Sequence, residues 1–205
     1  MGTDNREGLR VEVTQDTSWK RALNEARRTV GKKKLDKEPS REWKLMSLIA
    51  EHSQIKLVEY TIAFENLMQF VGVHLLRHEH LLPFIHSQRE DRRELPMPRK
   101  DLPQGTPNDQ DFVVNAQTLI NMARKRLCTC ASKETREAFQ AAKDEIAKID
   151  PEVAAVMVPN CIYRGFCPER NSCGFWKTAR FKKELNEYRN LIQRGDPEDV
   201  NGETE

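Results

Sequence analysis

Apolar residues recur along the chain at two periods, and the switches between them mark out its elements. Leu9 to Val13 alternates apolar and charged residues, the two-residue period of a strand. From Ser18 the spacing changes. Trp19, Ala22, Leu23, Ala26 and Val30 fall at i, i+3, i+4, i+7 and i+11, which is one face of a helix. A basic loop, Lys32 to Asp36, leads to a second helix that Ser40 caps, with Trp43, Met46, Ile49 and Ala50 as its stripe. Val58, Tyr60, Ile62 and Phe64 alternate strictly and predict a half-buried strand. Leu67, Phe70, Val71, His74 and Leu75 then restore helical spacing up to Arg77. Residues 89–111, with Pro96, Pro98, Pro103 and Pro107, predict a long loop of the kind that carries function. Helices are expected over residues 113–126 and 132–148, the second with Ala138, Phe139, Ala142 and Ile146 inward. Asp150-Pro151 supplies a cap and a first-turn proline for a short helix ending at Val158. Asn160 to Gly174 reads as irregular. The last helix runs from Trp176 to Arg194 with Phe181, Leu185, Tyr188 and Ile192 on one side, and Gly195 stops it. The acidic residues 196–205 should be disordered. The fold class expected is α+β, helix-rich with a small antiparallel sheet.

Composition narrows the class further. The 205 residues are 38% hydrophobic and 32% charged, enough for one core, and no run approaches the ~20 apolar residues of a membrane span. The first thirty residues lack the apolar centre of a signal peptide, so a cytoplasmic protein is expected. A net charge of +2 gives no reason to expect a nucleic-acid partner. Five cysteines, an odd number without an export signal, point to reduced thiols or metal ligands.

Three clusters carry candidate chemistry. Arg77-His78-Glu79-His80 is followed by His86-Ser87-Gln88-Arg89, in which Ser87 and Arg89 can converge on one phosphate through a hydroxyl and a guanidinium. No Gly-rich phosphate loop accompanies them. In the helix near residue 120, Gln117, Asn121 and Arg124 share a face, whereas Asn115 and Arg126 lie on the opposite stripe with Leu119 and Met122. Cys161, Cys167 and Cys173 recur every six residues, with Cys128 and Cys130 elsewhere. Such thiolates suit zinc or an iron–sulfur cluster, and small buried core residues are the plainer alternative. His74, on an apolar helix face, is expected to be a core histidine. The basic residues of the last helix are expected to be solvated.

The first two clusters together resemble the flavin-dependent thymidylate synthases. That family's signature R-H-R-x-x-S-x-N-E-x-S-x-R falls here on Arg77-His78-Glu79, Leu82, Phe84-Ile85, Ser87 and Arg89. Its later stretch, N-A-R-S-L-x-x-F-x-x-x-R-x-x-x-x-A-Q-W-E-I-R, aligns without a gap on Asn115 to Arg126 and then Ala131 to Arg136. The A-R-x-S element looks like Ala26-Arg27-Arg28-Thr29. Of H-x-x-x-x-E-H only His52 remains, with Leu57 and Val58 in place of the final pair. The similarity spans roughly residues 22–147.

The resemblance implies the fold of that family and the transfer of a methyl group from methylenetetrahydrofolate to C5 of deoxyuridine monophosphate, with FAD and NADPH. It implies that Ser87 and Arg89 hold the nucleotide phosphate, and that Arg126 contacts the pyrimidine and stabilises its negative charge as the catalytic residue. Arg77, His78, Asn115 and Asn121 would hold the flavin. A homo-oligomer, typically a tetramer with shared sites, is implied as well. The units expected are a nucleotide and flavin domain over 1–158, the cysteine loop with its helix over 159–195, and the tail 196–205. Glu79, Phe84, Ile85 and Gln117 depart from the signature, and the first of these sets a carboxylate where a cation would meet a pyrophosphate. Three other outcomes stay open: C5 hydroxymethylation without a flavin hydride, a non-catalytic nucleotide-binding protein, and a metal-dependent pyrimidine-modifying enzyme.

Overall fold

The computed structural model describes residues 8–192, and the alternating run around Tyr60 forms the centre of the fold. Strand β2 (Glu59–Met68) pairs antiparallel with β1 (Arg10–Gln15) on one side and with β4 (Pro107–Asn115) on the other. Strand β3 (Leu81–Ile85) pairs with β4 and forms the sheet edge, giving the order β1-β2-β4-β3. Opposed residues Tyr60 and Val114, and Ile62 and Phe112, share one buried face, and Phe64 meets Phe112 edge-on at 5.8 Å. Helices α1 (Trp19–Thr29), α2 (Arg41–Ile49), α4 (Ala116–Arg126), α5 (Lys133–Ile149) and α6 (Pro151–Val156) complete the core with Trp19, Leu45, Leu119, Phe139 and Val153. Side chains of Ser40, Asn115 and Ser132 cap α2, α4 and α5 by accepting a backbone N–H. The α+β class, helix-rich with a small antiparallel sheet, is the one expected.

Four local expectations are corrected. β2 does not stop at Phe64. A bulge at Glu65 and Asn66, the latter at φ 59°, lets it continue to Met68, so α3 starts only at Gln69 and runs to Leu75. β4 occupies residues that read as loop and as helix start. Its inward positions alternate Asn108, Gln110, Phe112 and Val114, and the two amides hide the period of two. β3 contains Pro83 and was not expected as a strand, but an edge strand tolerates a residue without an N–H. The stretch from Asn160 is not wholly irregular: α7 (Asn160–Arg164) forms there and ends at Gly165, whose φ of +78° suits only glycine well.

Asp150 precedes α6 but does not cap it with its side chain. The carboxylate is fully buried and accepts hydrogen bonds from Trp19 Nε1–H and from Tyr60 O–H, the latter at 2.7 Å. Burial, then the nearby Asp150, pushes the Tyr60 phenol far above its ordinary value. Near the C-terminus α7 and α8 (Ala179–Arg189) form a satellite cluster of Cys161, Ile162 and Phe181, and Tyr188 links it to the main core. The expected continuation of the last helix to Arg194, its stop at Gly195 and the acidic tail lie outside the described residues.

Candidate functional site

β3 carries the first signature, and its two ends present two different chemistries. The strand is five residues long, roughly 17 Å at about 3.4 Å per residue. Arg77, His78 and Glu79 lie before its start, and His86, Ser87 and Arg89 lie beyond its end.

At the far end there is a cavity of about 300 Å³ lined by Gln69, His86, Ser87, Arg89, Arg99 and Asn108 among others. Its floor is built by β4. Asn108 is buried, donates from Nδ2 to the His86 carbonyl at 2.8 Å, and accepts from Arg93 Nη1 at 2.8 Å. That brace holds the segment after β3 against the sheet. The Arg89 backbone N–H donates to Ser87 Oγ at 3.3 Å, so the two residues expected to meet a phosphate line one cavity. Arg89 is already engaged: its Nε and Nη2 donate to the Asp91 carboxylate at 2.9 and 2.7 Å.

At the near end the last turn of α4 brings Arg126 to His78. Arg126 Nε–H donates to His78 Nε2 at 2.8 Å, which requires that ring nitrogen to be unprotonated. Burial, then the Arg126 charge, lowers the His78 pKa to about 4. Burial and the neighbouring Arg77 lower that of Arg126 from its ordinary value. With Nε held by the imidazole, the two terminal nitrogens of Arg126 have no partner among the described residues. They can meet a carbonyl and a ring nitrogen together.

The other expected cofactor contacts are mostly occupied. The Asn115 Oδ1 accepts the Thr118 N–H at 2.9 Å as the cap of α4. Gln117, Asn121 and Arg124 share a face, as their spacing requires, and that face turns to Glu51 and α7. Gln117 Nε2 donates to Glu51 at 2.6 Å, Arg124 pairs with the same carboxylate, and Asn121 Oδ1 accepts from Arg124 Nη1 at 3.2 Å. Burial pushes the Glu51 carboxyl up, but the hydrogen bonds from Arg124 and Gln117 outweigh it and leave its pKa lowered. Arg124 also stacks on Tyr163 with its guanidinium carbon 3.6 Å from the ring centroid. The spacing shows the shared face. It could not show Glu51, which sits at φ 50° in a loop. Arg77 is exposed and makes no hydrogen bond or ion pair among the described residues.

A metal at the cysteines is not supported among the described residues. No three His, Cys, Asp or Glu side chains among the described residues are placed to hold a metal ion. Cys161 is buried in the satellite core, half-buried Cys167 packs against the same cluster, and Cys173 is exposed. Burial is the main reason the Cys161 pKa rises to about 11. His74 behaves as expected, with Nδ1 3.1 Å from Thr135 Oγ1. Sequence reasoning missed Gln69, Arg99 and Asn108 in the cavity. Only the polar inward position of Asn108 in β4 offered a signal.

No family model matches the chain. A flavin-dependent thymidylate synthase of Clostridium tetani is 40% identical over 73 residues, which is 35% of this chain and only 28% of that protein's length. A UMP/dUMP methylase, PolB from Streptomyces cacaoi bound with 5-Br dUMP, superposes with a TM-score of 0.60 at 14% identity, covering 77% of this chain and 95% of that one. The thymidylate synthase ThyX of Helicobacter pylori with FAD and dUMP superposes with a TM-score of 0.57 at 16% identity, covering 72% and 97%. No helix among the described residues is long and apolar enough to cross a membrane. The chain thus has the fold of the flavin-dependent thymidylate synthase ThyX and is similar in sequence to one flavin-dependent thymidylate synthase over 73 residues.

Proposed function

We propose that the chain is an enzyme that transfers a one-carbon unit to C5 of a pyrimidine nucleoside monophosphate such as dUMP or UMP. The observation that carries this reading is the pairing of half-buried Arg126 with neutral His78, at the opposite end of β3 from the cavity of Ser87 and Arg89. Ser87 and Arg89 would bind the phosphate. Arg126, oriented through its Nε by His78, would present its terminal nitrogens to the pyrimidine. There it would stabilise the negative charge that makes C5 nucleophilic. The relatives favour the same substrates, since one acts on UMP and dUMP and another is seen with dUMP.

The strand between the two ends is longer than a mononucleotide. One bound nucleotide would then take its phosphate contact from one copy of the chain and its base contact from another. Leu82 and Phe84, 61% and 63% exposed on the edge strand β3, are apolar surface that a second copy would cover. A homo-oligomer, the tetramer implied by the resemblance, follows from this reading. Mixing an Arg89→Ala protein with an Arg126→Ala protein should restore activity that neither has alone. Failure of the mixture, where sedimentation shows mixed oligomers, would remove the shared site.

FAD would supply a hydride when bound, turning a methylene carried to C5 into a methyl group. The fit of the chain to FAD is partial. Arg77 is free to hold a phosphate, whereas the Asn115 carbonyl oxygen caps α4, Asn121 is bonded to Arg124, and Glu79 is an exposed carboxylate. The Glu79 and Gln117 positions favour, as a second reading, a hydroxymethyl product formed without that hydride. Incubation with a nucleotide tritiated at C5, methylenetetrahydrofolate, FAD and NADPH tests both. Tritium should appear in water, and the product mass separates methyl from hydroxymethyl. Tight nucleotide binding with no tritium release from UMP or dUMP would instead leave a binding protein.

A further inference from the structure

The five thiols come from three separate stretches of chain, and the fold brings them to one junction beside the end of α4. Cys128 and Cys130 flank Thr129 in the turn between α4 and α5, where the Ala131 N–H donates to the Cys128 carbonyl at 2.9 Å. Arg136, at the start of α5, fixes that turn by donating to the Thr129 and Ala131 carbonyls at 3.2 and 2.8 Å. Cys161 is on α7, and Cys167 and Cys173 lie in the connection from α7 to α8. Across the junction Cys161 neighbours Cys128 and Cys167, while Cys130 neighbours Cys128 and Cys173. All five are free thiols, and no three are placed to share one metal ion.

Cys130 and Cys173 are the two exposed thiols, and their surroundings differ. The Cys173 sulfur accepts hydrogen bonds from the Thr129 side chain and the Phe175 N–H, and the Arg136 charge lies nearby. The Thr129 bond is the largest of these influences, which together hold the Cys173 pKa below its ordinary value. Cys130 is the reverse: partial desolvation, then the hydrogen bond with Cys128, pushes its pKa up to about 11. One exposed thiol thus has thiolate character beside an exposed neighbour that keeps its proton. That is the arrangement of an attacking and a resolving cysteine.

We propose that Cys173 and Cys130 form a peroxide-reactive pair, Cys173 attacking and Cys130 resolving, that closes to a reversible disulfide. The Cys173 thiolate attacks one oxygen of a hydroperoxide. The S–O bond forms, the O–O bond breaks, and the leaving oxygen takes a proton from solvent and departs as water or an alcohol. The Cys130 sulfur then displaces hydroxide from the sulfenic acid to form the S–S bond, and its own proton leaves with that hydroxide as water. Two thiols are oxidised, one hydroperoxide is reduced, and a dithiol reductant reverses the closure by exchange. The disulfide would tie the connection before α8 to the turn after α4. The exposed Lys125–Glu169 pair, at 3.7 Å, spans the same junction and holds it weakly. None of these residues lines the cavity beyond β3, so the inference stands apart from the nucleotide reading.

The test treats the full chain, reduced and stripped with a chelator, with hydrogen peroxide, and follows it by intact mass and peptide mapping. Wild type should lose two hydrogens, yield a Cys130–Cys173 disulfide, and return to the starting mass with dithiothreitol. In Cys130→Ser oxidation should stop at a sulfenic acid on Cys173, trapped by a 1,3-dione. In Cys173→Ser the rate of peroxide consumption should fall about tenfold. Thr129→Val should move the pH profile of Cys173 alkylation by iodoacetamide upward. All three positions are exposed, and matching circular dichroism spectra would show that the fold is kept. A disulfide between any other two cysteines, or peroxide consumption in Cys173→Ser as fast as in wild type, overturns the inference. An unmoved alkylation profile in Thr129→Val overturns the activation of Cys173 by Thr129. Stoichiometric zinc or iron in chain purified without chelator, released as the thiols oxidise, overturns the pair in another way, by making these thiols metal ligands.

Discussion

Acidification should loosen the Arg126–His78 pair while the rest of the site is still intact. The His78 imidazole has a pKa of about 4 in the folded chain against an ordinary 6.5. Between these values the unfolded chain binds a proton that the folded chain refuses. Stability is therefore lost as pH falls through 6.5, and the loss is complete near pH 4; above 6.5 this group has no effect. The gap corresponds to about 3 kcal/mol at full weight. His78 is only half-buried, so solvent screening reduces that to about 1–2 kcal/mol. Urea unfolding at pH 7 and pH 5 measures the loss, and imidazole NMR follows the ring itself. Its signal should titrate well below 6.5. Burial is the larger cause and the Arg126 charge the smaller. Arg126→Leu should consequently return the midpoint only part of the way. A wild-type midpoint at or above 6.5 would refute the pairing. Full recovery in Arg126→Leu would refute the ordering of the two causes. Protonation also removes the acceptor for Arg126 Nε–H, so binding of a pyrimidine monophosphate to the folded chain should weaken only as pH falls toward 4.

Three further outcomes follow from particular contacts. Asp150→Ala leaves the buried Trp19 N–H and Tyr60 O–H without their acceptor and should cost on the order of 3 kcal/mol in urea unfolding. Gly72→Ala places a methyl group into the buried Gln110 amide, whose carbon would lie 2.6 Å away, and should lower stability by about 1–3 kcal/mol in thermal unfolding. Glu79→Arg should tighten FAD in a fluorescence-quench titration, because a carboxylate beside Arg77 becomes a cation. Gln117→Arg should not, because it would disturb the Glu51–Arg124 pair instead.

The elements that were legible in the sequence are those whose periodicity reflects their packing. Around Tyr60 and along α1, α4 and α5 the buried positions are apolar apart from Thr118 and Thr135, and the spacing reports the face. Where burial and polarity separate, the pattern fails. Asn108 and Gln110 are buried on β4 because one braces the loop after β3 and the other packs against Gly72, a glycine that makes room for it. A two-residue period that includes amides is indistinguishable from loop composition. β3 fails for the opposite reason: its five residues are apolar without alternation, as an edge strand with exposed Leu82 and Phe84.

The same distinction explains which site residues the sequence could name. Ser87 with Arg89, and Arg126 with His78, fall on signature positions, and the fold gives each pair one place. The residues around them do not fall on the signature. Asp91, bonded to Arg89, lies two residues past it, Arg99 lines the cavity from the loop, and Glu51, bonded to Arg124, comes from the turn after α2. Each of these is a charged residue whose role depends on a long-range or turn geometry that spacing does not encode. The signature positions that changed are not random in the structure either. Leu82 and Phe84 point outward from the sheet edge, and Gln117 turns toward Glu51. Substitution of polar signature residues by apolar ones on an exposed edge adds surface that favours association over solvation. Replacing an arginine by Gln117 removes a cation that would have competed with Arg124 for Glu51. Both changes leave the cavity of Ser87 and Arg89 and the Arg126–His78 pair untouched. The departures from the signature therefore alter the surroundings of the residues proposed to meet the nucleotide and leave those residues in place.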